Sequence, residues 1–318
     1  MKLTKNIKQL KGDASFRSFF RIKKKKLSSI IVYAKKNKRL NLLIYDAINK
    51  ILIKNNILAP KLINENYSKN FIEIQDFGNQ TIFHFLKKNT KNKILIFKKI
   101  ISLLNKIQLI KDKGIISFKK KNYIIPKYSS KILFEEAKLF SKWYVPQKIL
   151  KSDLSKFKKD YEKVVKILIK KIFLKNDVFV HRDFHVSNLM LIRSKIGVID
   201  TQDALIGNKA YDLASLIDDV RFKTSNIFKE KIFDIYIKSN KRLDVKKFKN
   251  DFEIISVLRN LKIIGIFTRL AIRDKKKDYL KLIPYAWSLI RLRSKDNKMF
   301  KELNSLLNKT LLRSKLEK

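Results

Sequence analysis

Residues 181–188 read His181-Arg182-Asp183-Phe184-His185-Val186-Ser187-Asn188, and a hydrophobic step through Ile199 then leads into Asp200. This H-R-D-x-x-x-x-N pattern with its trailing aspartate constrains the chain more than any other stretch. Apolar runs flank it, Asp177-Val178-Phe179-Val180 before and Leu189-Met190-Leu191-Ile192 after, so it reads as a tight loop set in a hairpin-like context. Ile196-Gly197-Val198-Ile199 reads as the short strand that carries Asp200 back to that loop. These residue types suit phosphoryl transfer, which needs a hydroxyl held in line, a carboxylate to accept its proton, and metal ligands that neutralise phosphate charge. Asp183 is the candidate carboxylate. Asn188 offers a neutral oxygen and Asp200 an anionic one to a metal. Mg²⁺ is the natural ion, being hard, oxygen-seeking and content to share its shell with substrate phosphates.

The rest of the composition bounds the reading. The chain has 318 residues, 45% of them apolar, enough for a large core. It has no cysteine, so neither a disulfide nor a thiolate metal site is available, and its three histidines make no zinc pattern. Met1-Lys2-Leu3-Thr4-Lys5-Asn6 lacks an apolar signal core, and no apolar run approaches the roughly 18 residues of a membrane helix. A cytoplasmic enzyme with no membrane partner is the expectation. The net charge of +47 raises the possibility of nucleic acid binding. However, the lysines are spread along the whole chain and accompany an excess of Ile, Asn and Phe. That is a generic solvated surface, expected to attract polyanions without specificity.

Read in order, 8–22 gives strand, turn and strand, with Gly12-Asp13-Ala14-Ser15 as the turn. Lys23 to Lys26 is a hairpin tip, and 29–34 is the next strand. Residues 41–54 carry Leu42, Leu43, Ala47, Ile48, Ile51 and Leu52 at helical spacing. Residues 71–78 form a strand running into a glycine, and Thr81 is placed to cap the helix that follows. Residues 93–110 form an amphipathic helix with a stripe of Ile96, Ile100, Leu103, Leu104 and Ile107. Further helices are expected over 132–144, 152–174, 226–239, 246–271 and 277–292, with a last one in the tail from Lys295. His84 is isolated and suits a surface or capping role.

The run from His181 to Asp219 resembles the aminoglycoside phosphotransferase family, which shares the protein-kinase-like fold. Four stretches are closer to one branch, the bacterial kinases that phosphorylate the anomeric hydroxyl of N-acetylmuramate and N-acetylglucosamine in cell-wall recycling. These are Val198-Ile199-Asp200-Thr201-Gln202-Asp203-Ala204-Leu205, Tyr211-Asp212-Leu213-Ala214-Ser215-Leu216, Gly12-Asp13-Ala14-Ser15-Phe16-Arg17, and the segment from Arg259 to Leu270. The resemblance implies an α+β fold of two lobes, a small antiparallel-sheet nucleotide-binding lobe over 1–75 and a larger, mainly helical lobe over 76–318. It implies ATP and Mg²⁺ as cofactors and a sugar as acceptor, with a sugar-1-phosphate nucleotidyltransferase acting downstream.

It also distributes roles. The turn holding Ser15 would cover the ATP phosphates, and the linker at Asp76 would meet the adenine edge. His181 would prop the loop and Asp212 would support it from behind. Asp203 and His185 would face the acceptor. Glu136 and Trp143 lie in an acidic-then-aromatic segment near the sugar site of such kinases; a packed Trp with solvated glutamates is the other reading. Kinases grip the α- and β-phosphates with a strand lysine paired to a helix glutamate. Lys35 is the candidate lysine, but the helix at 41–54 has no glutamate, and Asp46 is its nearest acid. Two other readings stay open: a kinase of choline, homoserine or an aminoglycoside on the same fold, and a basic RNA-binding protein with a degenerate kinase fold. With 28 acids against 75 bases, a polycationic aminoglycoside is the less suited acceptor.

Overall fold

The computed structural model describes residues 7–10, 17–24, 27–89 and 91–311. In chain order they form β1 (Ile7–Leu10), β2 (Ser18–Lys24), β3 (Leu27–Tyr33), α1 (Leu40–Lys54), β4 (Leu62–Asn66), β5 (Phe71–Gln75), α2 (Ile82–Lys88) and α3 (Lys93–Gln108). A short hairpin, β6 (Gly114–Ile116) and β7 (Asn122–Ile124), precedes α4 (Ser130–Leu139) and α5 (Lys151–Lys170). Then come β8 (Asn176–Val180), β9 (Leu189–Ile192), β10 (Lys195–Val198) and β11 (Leu205–Asn208). Five helices close the chain: α6 (Ala210–Ile217), α7 (Asn226–Lys238), α8 (Val245–Arg273), α9 (Ile283–Ser294) and α10 (Lys301–Leu311). The chain packs as two compact units, one comprising residues up to Pro126 with Val178–Ile206, the other Lys127–Asp177 with Gly207 onward.

The first unit is built on a five-stranded antiparallel sheet of order β1-β2-β3-β5-β4. Alternation decides which face each strand buries. Ile30 and Val32 of β3 and Ile72 and Ile74 of β5 point inward and pack with Leu42 and Tyr45 of α1. Phe19 of β2 lies opposite Val32 and joins the same cluster, so Arg17 and Arg21, two residues either side of it, share the inward face. The expected stripe on α1 is buried throughout, as is the stripe on α3. Thr81 caps α2 as anticipated, its hydroxyl accepting from His84 N–H at 3.1 Å. The hairpin β9–β10 is stitched to the rest of the unit by main-chain bonds, Val198 N–H to Leu58 O and Leu191 N–H to Gln80 O, both at 2.8 Å. The strands at 62–66 and 114–124 are short and partly exposed, with no alternating apolar run to betray them.

The second unit is helical and organised around α8. This helix of 29 residues is capped by Asp244, which accepts from Lys247 N–H at 3.1 Å, and it buries residues around nearly its whole circumference. A helix apolar on all sides is an interior helix. Gly265 is where it passes closest to a neighbour: a Cβ there would lie 2.3 Å from the main-chain carbon and oxygen of Leu139. At that crossing the expected helix over 132–144 changes character, α4 ending at Leu139 and a π turn covering Phe140–Tyr144. Gly265→Ala is expected to destabilise the protein by about 1–3 kcal/mol through overpacking against rigid main chain. Urea unfolding monitored by circular dichroism would show it as a lower midpoint with unchanged slope.

Buried acids lock this unit. Asp218, fully buried, accepts from Arg293 Nε at 2.9 Å and Nη2 at 3.0 Å and from Ser256 Oγ at 2.6 Å, with Lys229 Nζ 3.4 Å away. Burial alone would raise its pKa; the charges of Arg293 and Lys229 outweigh burial and hold it below the ordinary value. A carboxylate depressed on folding contributes stability above its unfolded pKa of about 4, and that contribution is lost as pH falls below it. Asp218→Asn leaves two buried cations without their anion and should cost about 3–5 kcal/mol near neutral pH. Below about pH 4 the gap between variant and wild type should narrow in urea titrations.

Candidate active site

The loop at 181–188 is held by its own backbone. His185 N–H donates to Asp183 O at 3.0 Å, Asn188 N–H to His185 O at 2.9 Å, and Asn188 Nδ2 to Asp183 O at 3.1 Å. With the amide nitrogen so engaged, the Asn188 oxygen is the acceptor end of that side chain, the end a metal would take. The loop is joined to the strand bearing Asp200 by Ile199 N–H, which donates to Asn188 O at 3.0 Å. His181, wholly buried, lies with Nε2 3.1 Å from Ile199 O; a carbonyl only accepts, so Nε2 carries the proton. Arg182 and Asp200 both adopt left-handed backbone, φ 73° and 61°. Such conformations in non-glycine residues persist where surrounding bonds over-determine them.

Asp200 is the centre of charge. Burial raises its pKa, the carboxylates of Asp183 and Asp203 raise it further, and Arg17 opposes them. Arg17 Nη2 lies 2.8 Å from Asp200 Oδ1, its side chain only 4% exposed, with the guanidinium carbon 5.7 Å from the ring centre of Phe19 and 5.9 Å from that of Tyr45. The strand–helix frame braces the next residue. Thr201 Oγ1 donates to Asn49 Oδ1 of α1 at 2.6 Å, and Asn49 Nδ2 donates to Pro60 O at 3.0 Å. The fully buried Tyr45 phenol is hydrogen-bonded by the Asn49 side chain and the Asp200 main chain; burial and the Asp200 charge drive its pKa up. Gln202 bonds Asp200 and also donates to Asp203 Oδ2 at 2.8 Å. Tyr123 stands beside Asp203, its pKa pushed up to about 12 by burial and then by that carboxylate.

Among the described residues no three His, Asp or Glu side chains converge on one point to hold a metal by themselves. The donors suit Mg²⁺ nonetheless. An anionic oxygen on Asp200, an amide oxygen on Asn188 and a surplus of negative charge are what an ion shared with phosphates needs, because Mg²⁺ is held by one or two carboxylates plus substrate oxygens.

The other expected residues fall as follows. Asp183, Asn188, Asp200, Asp203, His181 and His185 come together in one unit, Asp203 exposed and His185 buried. Asp76 follows β5 with its carboxylate clamped by Arg21, Nε at 2.6 Å and Nη2 at 2.9 Å, so what it offers a ligand is backbone. Lys35 is exposed in the turn after β3, while Ala34 and Val32 take the inward positions. Asp46 pairs with Lys50 within α1 at 2.9 Å. Ser15 and the rest of the Gly12–Phe16 turn lie outside the described residues.

Glu136, Trp143 and Asp212 belong to the second unit. Glu136 is held by Lys262 at 2.9 Å and Tyr128 at 2.5 Å, Asp212 is fully buried in α6, and Trp143 is half-buried in the π turn. The packed aromatic partner of that turn is Trp287, whose Nε1 donates to Tyr144 at 3.2 Å and whose ring meets Phe140 edge-on. Trp287 and Tyr144 line a cavity of about 580 Å³ with Thr268, Pro284 and Arg291. Sequence reasoning missed Arg17, Asn49 and Tyr123; for Arg17 a signal existed, its two-residue spacing from the inward Phe19.

The sequence pattern of the phosphotransferase enzyme family matches residues 6–243. The chain belongs to this family. An N-acetylmuramate/N-acetylglucosamine kinase of Neisseria meningitidis serogroup B is 28% identical over 292 residues, 88% of this chain and 83% of that one. A kinase of the same name from Pseudomonas aeruginosa is 25% identical over 279 residues, 86% of this chain and 79% of that one. Among solved structures, Plasmodium vivax ethanolamine kinase matches with a TM-score of 0.61 at 14% identity, over 90% of this chain and 84% of its own. Spectinomycin phosphotransferase APH(9)-Ia, solved with ADP and spectinomycin, matches with a TM-score of 0.59 at 15% identity, over 90% and 92%. The expected α+β, protein-kinase-like fold and the family resemblance are both borne out, and the chain is a phosphotransferase.

Asp200→Asn is expected to leave the fold intact, because Thr201, Asn49 and Tyr45 brace the segment independently of the carboxylate. If Asp200 is the anionic ligand of Mg²⁺, the variant's kcat should fall at least about a hundredfold at saturating Mg²⁺. Steady-state kinetics beside a thermal melt would separate the two effects.

Proposed function

We propose that the chain transfers the γ-phosphoryl group of ATP to the anomeric hydroxyl, C1, of N-acetylglucosamine or N-acetylmuramate. The observation that carries this reading is the match, over 88% of this chain, to a kinase named for those two sugars, combined with an intact Asp183, Asn188 and Asp200. In this reading residues 1–75 serve the nucleotide and 76–318 the acceptor. Mg²⁺ would be held by Asn188 and Asp200 and would supply neutralisation of the transferred charge. Asp183 orients the acceptor hydroxyl and takes its proton. An anomeric hydroxyl is more acidic than an ordinary sugar alcohol, so a carboxylate base needs no special tuning. Asp203, exposed and with Tyr123 beside it, offers a carboxylate and an aromatic face, a pairing suited to a sugar. Glu136, Trp143 and His185 are proposed acceptor contacts on their chemistry, with His181 and Asp212 in support.

The product would be a sugar 1-phosphate, ready for a nucleotidyltransferase. No helix among the described residues is long and apolar enough to cross a membrane. We place the enzyme in the cytoplasm, where ATP is supplied, and assign it no specific nucleic acid partner.

The free sugars should be phosphorylated with ATP and Mg²⁺, and the methyl glycosides blocked at C1 should not, as ³¹P NMR would report. Asp183→Ala should lose about a hundredfold or more in kcat with little change in nucleotide affinity. Methyl glycosides turned over as fast as free sugars would move the transfer to another hydroxyl and sink the anomeric assignment.

A further inference from the structure

Among the described residues the site has a phosphotransferase's carboxylates but no strand lysine paired with them. The inward positions of β3 and the residue that follows it are Ile30, Val32 and Ala34, all buried and apolar, and Lys35 next to them is exposed. The acid that α1 offers where kinases keep a glutamate, Asp46, is spent on Lys50. The cation that does reach the metal aspartate comes from the neighbouring strand. Arg17 immediately precedes β2, on the face it shares with Phe19, and is 2.8 Å from Asp200. Two aromatic rings flank its guanidinium, which fixes its approach. Arg21, on the same face, is committed to Asp76 and to Gly78 O, the latter at 2.9 Å.

We propose that Arg17 is the cation that grips the α- and β-phosphates of the nucleotide, in the role that a β3 lysine fills elsewhere in the fold. This rests on the reading that the site binds a nucleoside triphosphate. Without nucleotide, the guanidinium rests on Asp200 and neutralises a carboxylate crowded by Asp183 and Asp203. With nucleotide, phosphate oxygens offer a planar guanidinium two parallel hydrogen bonds, a geometry in which it can exchange the Nη2 contact with Asp200 Oδ1 for a fork. Asp200 is thereby released for the metal. The exchange couples the two ligands: the anion that draws Arg17 away also exposes the oxygen that an ion must take.

The test is binding, not turnover. Affinity for a fluorescent N-methylanthraniloyl ADP is measured by anisotropy at moderate salt, with Mg²⁺ and again with EDTA, and each variant is also melted without nucleotide. Arg17→Met is expected to weaken binding at least about tenfold in both buffers. In EDTA, Asp200→Asn is expected to bind more tightly than wild type, because the resting partner of Arg17 is gone. Adding Arg17→Met to Asp200→Asn should remove that gain; this neutral pair also covers the case in which Arg17→Met alone does not fold. Wild-type affinity in Arg17→Met, a double variant equal to Asp200→Asn, or a tenfold loss in Lys35→Met with none in Arg17→Met would each overturn the proposal. Wild-type protein that binds no nucleotide would overturn the function reading and this inference with it, whereas wild-type binding with Arg17→Met unimpaired overturns the inference alone.

Discussion

Negative charge has to be gathered and then held still, and the first unit is arranged around that requirement. Asp183, Asp200 and Asp203 act on one another through space, and their repulsion, added to burial, works against ionisation of Asp200. One buried arginine offsets it. The rest of the unit provides the geometry. The sheet presents Arg17 on its inward face, α1 supplies Tyr45 and Asn49, and the β9–β10 hairpin carries the loop and the aspartate on one support. The left-handed backbone at Arg182 and Asp200 belongs to the same arrangement, since bonds from His181, Asn188 and Thr201 hold the segment between and beyond them.

The same economy of acids runs through the interior. The chain has 28 acids against 75 bases, and several of the acids are buried where they hold main chain or cations. Asp251 accepts from the main-chain N–H groups of Phe173 and Leu174 and from Asn208, all at 2.8 Å. Asp218 binds Arg293 and Lys229. Asp46 holds Lys50. Lysine meanwhile is spread over the solvated surface, where a flexible stem and a strongly hydrated head are tolerated. The +47 charge is thus carried largely by exposed lysines, while several of the few acids are buried where they hold main chain or cations.

Much of this was legible in the chain. The tight loop at 181–188 between two short strands was, because apolar runs flank a polar motif of fixed spacing. The helices α1 and α3 were, because one-sided burial writes a period into the sequence. The all-round burial of α8 blurs that period, yet a helix was expected over 246–271. The π turn at Phe140–Tyr144 was not foreseen; it lies where the chain meets Gly265 of α8, a contact more than a hundred residues distant in sequence. Arg17 stood in a quoted motif without a role; its two-residue spacing from Phe19 was the available signal, and the β2–β3 register shows which face that is. Trp143 drew notice as the aromatic on an acidic helix, whereas the tightly packed aromatic at that turn is Trp287, brought in by helix packing that no local pattern encodes. The lysine slot was sought on β3 by analogy with kinases, and the exposure of Lys35 follows from strand alternation once Val32 and Ala34 are buried.

The missing helix glutamate has a mechanical meaning. In a kinase whose strand lysine pairs with a helix glutamate, the helix can swing away and the site is switched by breaking one ion pair. Here α1 is tied to the segment that carries Asp200 by neutral groups. Asn49, only 2% exposed, uses both ends of its amide, one on Thr201 and one on Pro60 O, and Tyr45 adds its hydroxyl to the same knot. Moving α1 would strand several buried polar groups at once, each costing about 1–3 kcal/mol, with no charge gained in return. A helix fastened in this way is a fixed wall. Adjustment of the site to its ligands then falls to side chains, and the cation already resting on Asp200 is the group with an alternative anion to take.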